Sequence, residues 1–403
     1  MHATEYTDMS INVSRVLLKL TGNWVTMNDT EKRHRVLAMS YTIVALVYGV
    51  YVNVVDVYHS LDDLDHCIFL ICNTLNIILA MYKMLVVNVY RMEYVNLILD
   101  ARQHFWHLNY NADESELFIE CQKVCKLWTI LICSLTQASL CFYIIRPISV
   151  NIGSNKSEKV LPFKMWVDLP LTVSPYYEIM FAVQLLAVQQ IGISYICNEN
   201  FFCLLNLHMV YQFRMLQYKL RKFWLKINEQ TDIIAYTSRC HTELKKCIEQ
   251  HQSLIRFSDR IETIYTLPIL GHVVVFSMLM CFDSYEIILA DVSTSTRLIF
   301  IFHMVGSFMH LIFFTYICNG LIEESTNISI ATYSGWWTIL PMTEAGRMLR
   351  KDVRTIIMKS MRPCYMSAGG FFPVSLQTST ALISSTMSYF TLMRQSSMKV
   401  TDE

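Results

Sequence analysis

Charged residues are scarce in this sequence. Only 16% of its 403 residues are Asp, Glu, Lys or Arg, whereas soluble proteins carry roughly 25%, and 53% are hydrophobic. The 33 Lys and Arg residues balance the 33 Asp and Glu residues, so the chain has no overall charge to attract nucleic acid or anionic substrates. This composition excludes a disordered chain, a collagen and a coiled coil, and it indicates a protein that lies largely in lipid.

Catalytic motifs are absent as well. The sequence contains no P-loop and no HExxH, GxSxG or CxxC motif, so an enzyme is not expected. His104 and His107 are three residues apart, but no third ligand is close in sequence, so neither a metal nor a cofactor is predicted. Most of the 13 cysteines lie inside apolar runs, where a free cysteine behaves as a small hydrophobe, and disulfides are not expected.

Seven apolar segments are long enough to cross a bilayer core of roughly 30 Å, because a helix rises about 1.5 Å per residue. They are residues 35–57, 66–90, 127–145, 176–207, 264–290, 298–321 and 373–393. The first begins too late in the chain for a cleaved signal peptide. The sequence therefore predicts a single domain, an all-α membrane protein with seven transmembrane helices.

The distribution of Lys and Arg predicts the orientation. The N-terminal segment and the second, fourth and sixth loops hold 24 of these residues, whereas the other loops and the C-terminal end hold seven. Because positively charged loops stay inside, the N-terminus is expected to be cytoplasmic and the C-terminus extracellular. Asn155, in an Asn-Lys-Ser sequon, then lies outside, where it can be glycosylated. Cys121 and Cys125 share one helical face on the cytoplasmic side, where thiols stay reduced.

Residues 208–263 and 322–372 are predicted to form helical anchor regions in the cytoplasm. Apolar residues recur at near-helical spacing from His241 to Tyr265, which indicates a helix that continues below the membrane. A second, amphipathic helix ends at Pro363 and carries on its apolar face Leu349, Val353, Ile356 and Ile357. It either lies on anionic membrane lipid or packs between subunits, and its periodicity fits both.

Polar side chains of the last segment fall on one helical face. They are Gln377, Thr380, Ser384, Ser388, Thr391 and Gln395. A hydroxyl or amide in lipid needs a partner, so this stripe meets another helix or water. The sequence favours a seam between helices, and a pore built from several copies is the functional alternative. The stripe contains no charge, which suits a weakly selective path.

The predicted outer halves of segments two to six contain aromatic, methionine and small polar side chains. These are Phe69, Thr136, Ser139, Tyr143, Tyr176, Met180, Gln184, Met280, Phe300, His303 and Met304. They can enclose a largely apolar pocket with a few polar contacts, the usual form of a small-molecule site, although packing is the more frequent role of any one of them. Among charged residues, Lys83 is expected to snorkel to the interface, and Asp283 and Glu286 to remain hydrated.

Two other classes of membrane protein fit less well. A G-protein-coupled receptor has the opposite orientation, and neither its DRY-like triplet after the third span nor its NPxxY motif in the last span is present. A transporter would show paired, Gly/Pro-interrupted spans with ionisable groups at the midplane, and no such pairing is seen.

Several motifs lie close together near the C-terminal end. They are Tyr333-Ser-Gly-Trp-Trp-Thr-Ile-Leu-Pro, the basic helix ending Lys359-Ser-Met-Arg-Pro, Ser367-Ala-Gly-Gly-Phe-Phe-Pro-Val-Ser-Leu, and Ser388-Tyr-Phe-Thr-Leu-Met-Arg-Gln. In these motifs the chain resembles an insect odorant receptor. The rest of the chain agrees with that family in length, number of spans and orientation.

The resemblance implies a subunit of a tetrameric, odour-gated, non-selective cation channel in the plasma membrane of olfactory sensory neurons. The implied partners are the odorant receptor coreceptor and a volatile small molecule bound in the outer half of the subunit. The coreceptor's long insertion in the fourth loop is missing, so the resemblance implies an odour-tuning subunit. A G-protein-coupled chemosensory receptor is the alternative.

The resemblance also implies roles for individual residues. It places Leu392 at a hydrophobic gate, with Gln395 and Ser396 beside the pore, whereas the polar stripe favours Thr391, about 100° of helix away. The cytoplasmic parts of the last four helices are the implied anchor between subunits, and Trp336 and Trp337 fall in this region.

Overall fold

The computed structural model describes residues 8–26, 28–106, 110–153, 159–167, 170–171, 173–225, 233–290, 294–334 and 336–401. The predicted glycosylation site at Asn155 lies outside these residues. The side chains of Trp336 and Ser396 also lie outside the described part.

Helices make up most of the described chain. They are α1 (Met9–Leu20), α2 (Asp29–His59), α3 (Leu64–Val89), α4 (Arg91–His104), α5 (Ala112–Gly153), α6 (Tyr176–Leu225), α7 (Ile233–Ile288), α8 (Thr294–Tyr333), α9 (Glu344–Ser360) and α10 (Leu376–Thr401). A 3-10 turn spans Trp336–Ile339, and a small hairpin consists of β1 (Ser367–Ala368) and β2 (Phe372–Pro373). The prediction of an all-α membrane protein is confirmed.

The long helices correspond to the predicted membrane segments. Within the described ranges, α2, α3, α5, α6, α7 and α8 are long and apolar enough to cross a bilayer, and they contain or closely match the first six segments. The seventh segment, residues 373–393, corresponds to α10, whose Ser and Thr content makes it less apolar than the others. The orientation of the two termini stays a prediction.

Helices α6 and α7 continue well beyond the predicted membrane segments. The region 208–263 consists mainly of the end of α6 and the beginning of α7. Its apolar residues, such as Leu244 and Ile248, pack in or against the main hydrophobic core at the near-helical spacing seen in the sequence. Arg214 Nε lies 2.8 Å from Glu324 Oε1, which links α6 to α8 in the same region. The core therefore extends the full length of the bundle, with α6 at its centre.

The apolar face of α9 packs inside the chain. Leu349, Val353 and Ile356 are buried against α8 and α7, and Ile357 and Trp337 are partly buried against the same core. These side chains stabilise the subunit itself. The opposite, basic face of α9 is the one left for lipid or a second subunit.

The hairpin between α9 and α10 is fixed to α7. Gly369 and Gly370 at its tip have φ angles of +62° and +76°, which glycine adopts without strain. The Ser367 amide donates to Glu262 Oε2 at 2.9 Å, and the Gly369 amide donates to the Thr266 carbonyl at 2.9 Å. The Ser-Ala-Gly-Gly-Phe-Phe-Pro motif is thus the segment that positions the start of α10.

Candidate functional site

A cavity of about 210 Å³ lies between α3, α5, α6 and α8, in the half of the bundle predicted to face outside. Its apolar wall consists of Ile77, Ile132, Leu135, Leu140, Phe163, Val188, Ile191, Ile196 and Phe302, with Gly192 and Gly306. Its polar wall consists of Asn73, Asn76, Thr136, Ser139, Tyr143, Tyr195, His303, Ser307 and His310. An apolar cavity of about 150 Å³ in another protein binds benzene, so this one has room for a substituted single ring.

Asn73 is the polar group best placed to recognise a ligand. Its Oδ1 accepts a hydrogen bond from the Tyr143 hydroxyl, whereas its Nδ2 is buried and has no hydrogen-bond partner among the described residues. An unpartnered buried amide costs about 1–3 kcal/mol, which a ligand oxygen would recover. The hydroxyls of Thr136 and Ser139 donate to carbonyls one turn earlier in α5, at 2.9 and 3.0 Å. Because both hydroxyl hydrogens are already donated, these two side chains can only accept hydrogen bonds from a ligand.

His303 of α8 lines the cavity, and its ring is fixed by a contact with a residue of α7. Its Nδ1 lies 2.8 Å from Oδ2 of Asp283, a fully buried carboxylate of α7. This contact occupies Nδ1 and leaves Nε2 as the ring nitrogen that can contact a ligand.

The expectation that Asp283 and Glu286 are hydrated is wrong, because both side chains are fully buried. The partner of Asp283 comes from another helix, which the periodicity of α7 does not reveal.

The predicted ligand residues divide into those on the cavity wall and those behind it. The structure brings Thr136, Ser139, Tyr143 and His303 together on the wall. Gln184 lies behind the wall. Its amide accepts from the backbone N–H of Phe163 and donates to its carbonyl, both at 3.0 Å, and so positions that ring.

The remaining predicted ligand residues lie elsewhere. Phe69 and Phe300 pack edge to face at 6.1 Å, and Phe69 lines a neighbouring cavity of about 340 Å³. Tyr176 is exposed, and Met180 Sδ accepts a hydrogen bond from the Tyr48 hydroxyl. Met280 and Met304 pack in a cluster that reaches α10, described below.

Sequence reasoning missed five of the nine residues of the polar wall. The missed residues are Asn73, Asn76, Tyr195, Ser307 and His310. Single polar residues in apolar spans have no periodic signal. Asn73 could have been identified by its side-chain amide, since an amide inside an apolar membrane segment needs a hydrogen-bond partner.

Buried charges from four helices meet beside the cavity. Glu199 of α6 forms an ion pair with Lys83 of α3. His272 Nδ1 of α7 lies 2.8 Å from Glu199 Oε1, and His310 Nε2 of α8 lies 3.1 Å from Glu199 Oε2. The expectation that Lys83 snorkels to the interface is wrong, because it is only 2% exposed and is neutralised inside the bundle. His310 also lines the cavity, so the cluster borders the candidate ligand.

The polar stripe of α10 lies on the surface of the chain. Its exposed members are Gln377, Thr380, Ser384, Ser388, Thr391 and Gln395, and the adjacent Leu392 is 61% exposed. The hydroxyls of Ser388 and Thr391 donate to carbonyls of α10 itself, at 3.0 and 2.9 Å. The seam that the sequence favoured is not formed within the described chain, because the opposite face of α10 packs against α7 and α8. The stripe is available to water or to other subunits.

One cluster of apolar side chains connects the cavity helix to α10. Met280 of α7 and Leu311 of α8 are buried together, and Met304 packs against them. Leu382 and Ile383 of α10 pack against the same cluster. Since α8 also lines the cavity between Phe302 and His310, a single helix contacts both the cavity and α10.

Comparisons with known proteins agree with this architecture. Odorant receptor 30a of Drosophila melanogaster is 28% identical over 242 residues, which cover 59% of this chain and 60% of that protein. Odorant receptor 13a of the same species is 21% identical, over 96% of both chains. The alignments with Odorant receptor 30a and with Odorant receptor 10 of Aedes albopictus span 60% of the length of those relatives.

Solved structures show the same fold. The insect olfactory receptor OR5 from Machilis hrabei superposes with a TM-score of 0.79 at 13% identity, over 95% of this chain and 97% of that chain. Its complex with eugenol superposes with a TM-score of 0.79 at 14% identity, over 96% and 97% of the two chains. The family model described as 7tm Odorant receptor matches residues 64–387, which is most of the chain. This chain therefore belongs to the odorant receptor family.

Proposed function

We propose that this chain is the odour-tuning subunit of a heterotetrameric, odour-gated, non-selective cation channel. It assembles with the odorant receptor coreceptor in the plasma membrane of olfactory sensory neurons. The observation that carries the proposal is that α8 lines the cavity and also packs against α10, whose uncharged polar face is exposed. A receptor that signals only through its intracellular loops has no need for such a face.

The ligand is a small volatile with a mostly apolar body and one polar group. The apolar residues of α5 and α6 bury the body, and the unpartnered Nδ2 of Asn73 and the His303 ring bind the polar group. The complex of the similar Machilis hrabei receptor contains eugenol, a ligand of this kind, which supports the assignment.

Opening follows from the shared helix. An odour that binds better to one arrangement of α8 shifts the population toward that arrangement. Leu311 of α8 packs in one cluster with Leu382 and Ile383 of α10, so a shift of α8 moves α10 as well. An outward shift of α10 in the assembled channel widens a dewetted constriction at Leu392, and the polar stripe then lines a hydrated path.

The first experiment records odour-evoked current in excised patches without GTP, from cells that express this chain with and without the coreceptor. A screen of small volatiles supplies the agonist, and cells with the coreceptor alone are the control. Current that requires both chains and no GTP supports a channel subunit. Responses that disappear without GTP would instead establish coupling to a G protein and refute the proposal.

A further inference from the structure

A compact group of two thiols and one imidazole lies on α5 and α6, beyond the parts of these helices that line the cavity. Cys121 and Cys125 are one turn apart on α5, and His208 comes from α6. The two Sγ atoms are 3.9 Å apart, and Cys121 Sγ is 3.6 Å from His208 Nδ1. All three side chains are buried, at 0%, 0% and 1% exposure, and their ligand atoms lie within 4.8 Å of one another.

These separations fit a tetrahedral zinc site. Zinc binds cysteine sulfur at about 2.3 Å and histidine nitrogen at about 2.0–2.1 Å, so tetrahedral angles place two sulfurs about 3.8 Å apart and a sulfur and a nitrogen about 3.6 Å apart. The observed 3.9 and 3.6 Å differ little from these values. Two cysteines and one histidine with an open fourth position form a known type of zinc site.

The surroundings of His208 complete the arrangement. Its Nε2 is buried and has no hydrogen-bond partner within the described ranges. The buried carboxylate of Asp8 acts electrostatically on this imidazole, and its Oδ2 also has no partner in the described part of the chain. Metal-bound histidines commonly donate their other N–H to a carboxylate. A hydrogen bond from Nε2 of His208 to Oδ2 of Asp8 would supply that acceptor and satisfy both atoms.

We propose that Cys121, Cys125 and His208 bind a zinc ion that joins α5 to α6, with Asp8 as a positioning residue. Binding releases the two thiol protons to solvent, and two thiolates balance the charge of Zn²⁺. The rings of Trp106 and Phe118 lie 6.1 and 6.2 Å from the imidazole and shield the site. The sequence did not predict this site, because His208 is 87 residues from Cys121.

The test measures zinc in the purified full-length chain, produced with a tag that contains no histidine. Elemental analysis is expected to give one zinc per chain for the wild type and background for Cys121→Ala/Cys125→Ala. The matched control is Cys203→Ala/Cys318→Ala, which also removes two fully buried cysteines, from α6 and α8, and is expected to keep its zinc. Equal zinc in wild type and Cys121→Ala/Cys125→Ala would overturn the proposal.

A second measurement does not depend on the folding of a variant. Wild-type protein stripped with a chelator and titrated with Co²⁺ is expected to show thiolate-to-cobalt charge-transfer absorption, and absence of that absorption refutes the site. Asp8→Asn is expected to weaken zinc binding by about 10–100-fold while the stoichiometry at saturating zinc stays at one. Unchanged affinity would remove Asp8 from the site.

Discussion

Gly306 provides a direct test of the ligand cavity, because a side chain can be added there without a clash. It lines the cavity from α8, and no described atom lies within 4 Å of the position that a Cβ would take. Replacing a helical glycine by alanine also stabilises a helix by about 1 kcal/mol. Loss of response in a Gly306 series can therefore not be ascribed to weaker folding of α8.

The expected size of the effect follows from the volume. A leucine side chain adds four carbon atoms at a position with no neighbouring atom in its way, so Gly306→Leu fills a large part of the cavity of about 210 Å³. Excluding one methylene-sized part of the ligand costs about 0.8 kcal/mol, or roughly fourfold in EC50, and excluding three costs about 2.4 kcal/mol, or roughly 60-fold. Gly306→Ala, Val and Leu should thus raise the EC50 in that order.

The assay is the odour dose–response of the chain expressed with its coreceptor, with surface labelling in parallel. Gly320→Ala is the matched control, since Gly320 is also in α8 but a Cβ there would only touch Val210 at 3.7 Å. Gly320 does not line the cavity, so Gly320→Ala should leave the EC50 unchanged. A normal EC50 for Gly306→Leu at normal surface expression would show that the odour binds elsewhere.

Further substitutions test the pore, the charge cluster and the hairpin. Leu392→Ala should raise the basal current in odour-free patches, because it shortens the exposed apolar side chain at the proposed gate; an unchanged leak at normal expression argues against that role. Lys83→Met and Glu199→Met should each destabilise the purified protein by about 3–5 kcal/mol, measured by thermal unfolding, and Lys83→Met/Glu199→Met should restore much of the loss. If the double variant is as unstable as both single variants combined, the two charges do not form a pair. Glu262→Gln should lower the melting temperature by weakening its bonds to Ser367, worth about 1.5–3 kcal/mol as charged hydrogen bonds, and an unchanged value would show that the hairpin is held by other contacts.

Helices were predictable from the sequence because the signal is local. Apolar runs and near-helical spacing identified the membrane segments and the helix that contains Leu244 and Phe257. The polar stripe of α10 was equally visible, since its period needs only one helix. The seam favoured for this stripe is not formed within the described chain, because the sequence of one helix does not show whether another helix covers it.

The site depended on contacts between helices and was predicted only in part. Tyr143 and His303 were identified because aromatic and polar side chains in an outer half are plausible ligand contacts. Asn73, which accepts a hydrogen bond from Tyr143, was not, and neither were the pairing of Asp283 with His303 and that of Lys83 with Glu199. Each of these pairs joins residues from different helices, so no spacing along the chain encodes it.

The distribution of buried charge indicates which helix is free to move. Lys83, Glu199, His272 and His310 bring α3, α6, α7 and α8 together at one point, and separating Lys83 from Glu199 would leave a charge without its partner in the membrane. Helix α10 contributes no residue to that cluster and packs mainly against α7 and α8 through apolar side chains such as Leu382. Sliding along an apolar contact breaks no ion pair, so a displacement of α10 does not cost an ion pair. A ligand that shifts α8 beside His310 can therefore displace α10 through the apolar cluster of Leu311 and Leu382 without breaking an ion pair.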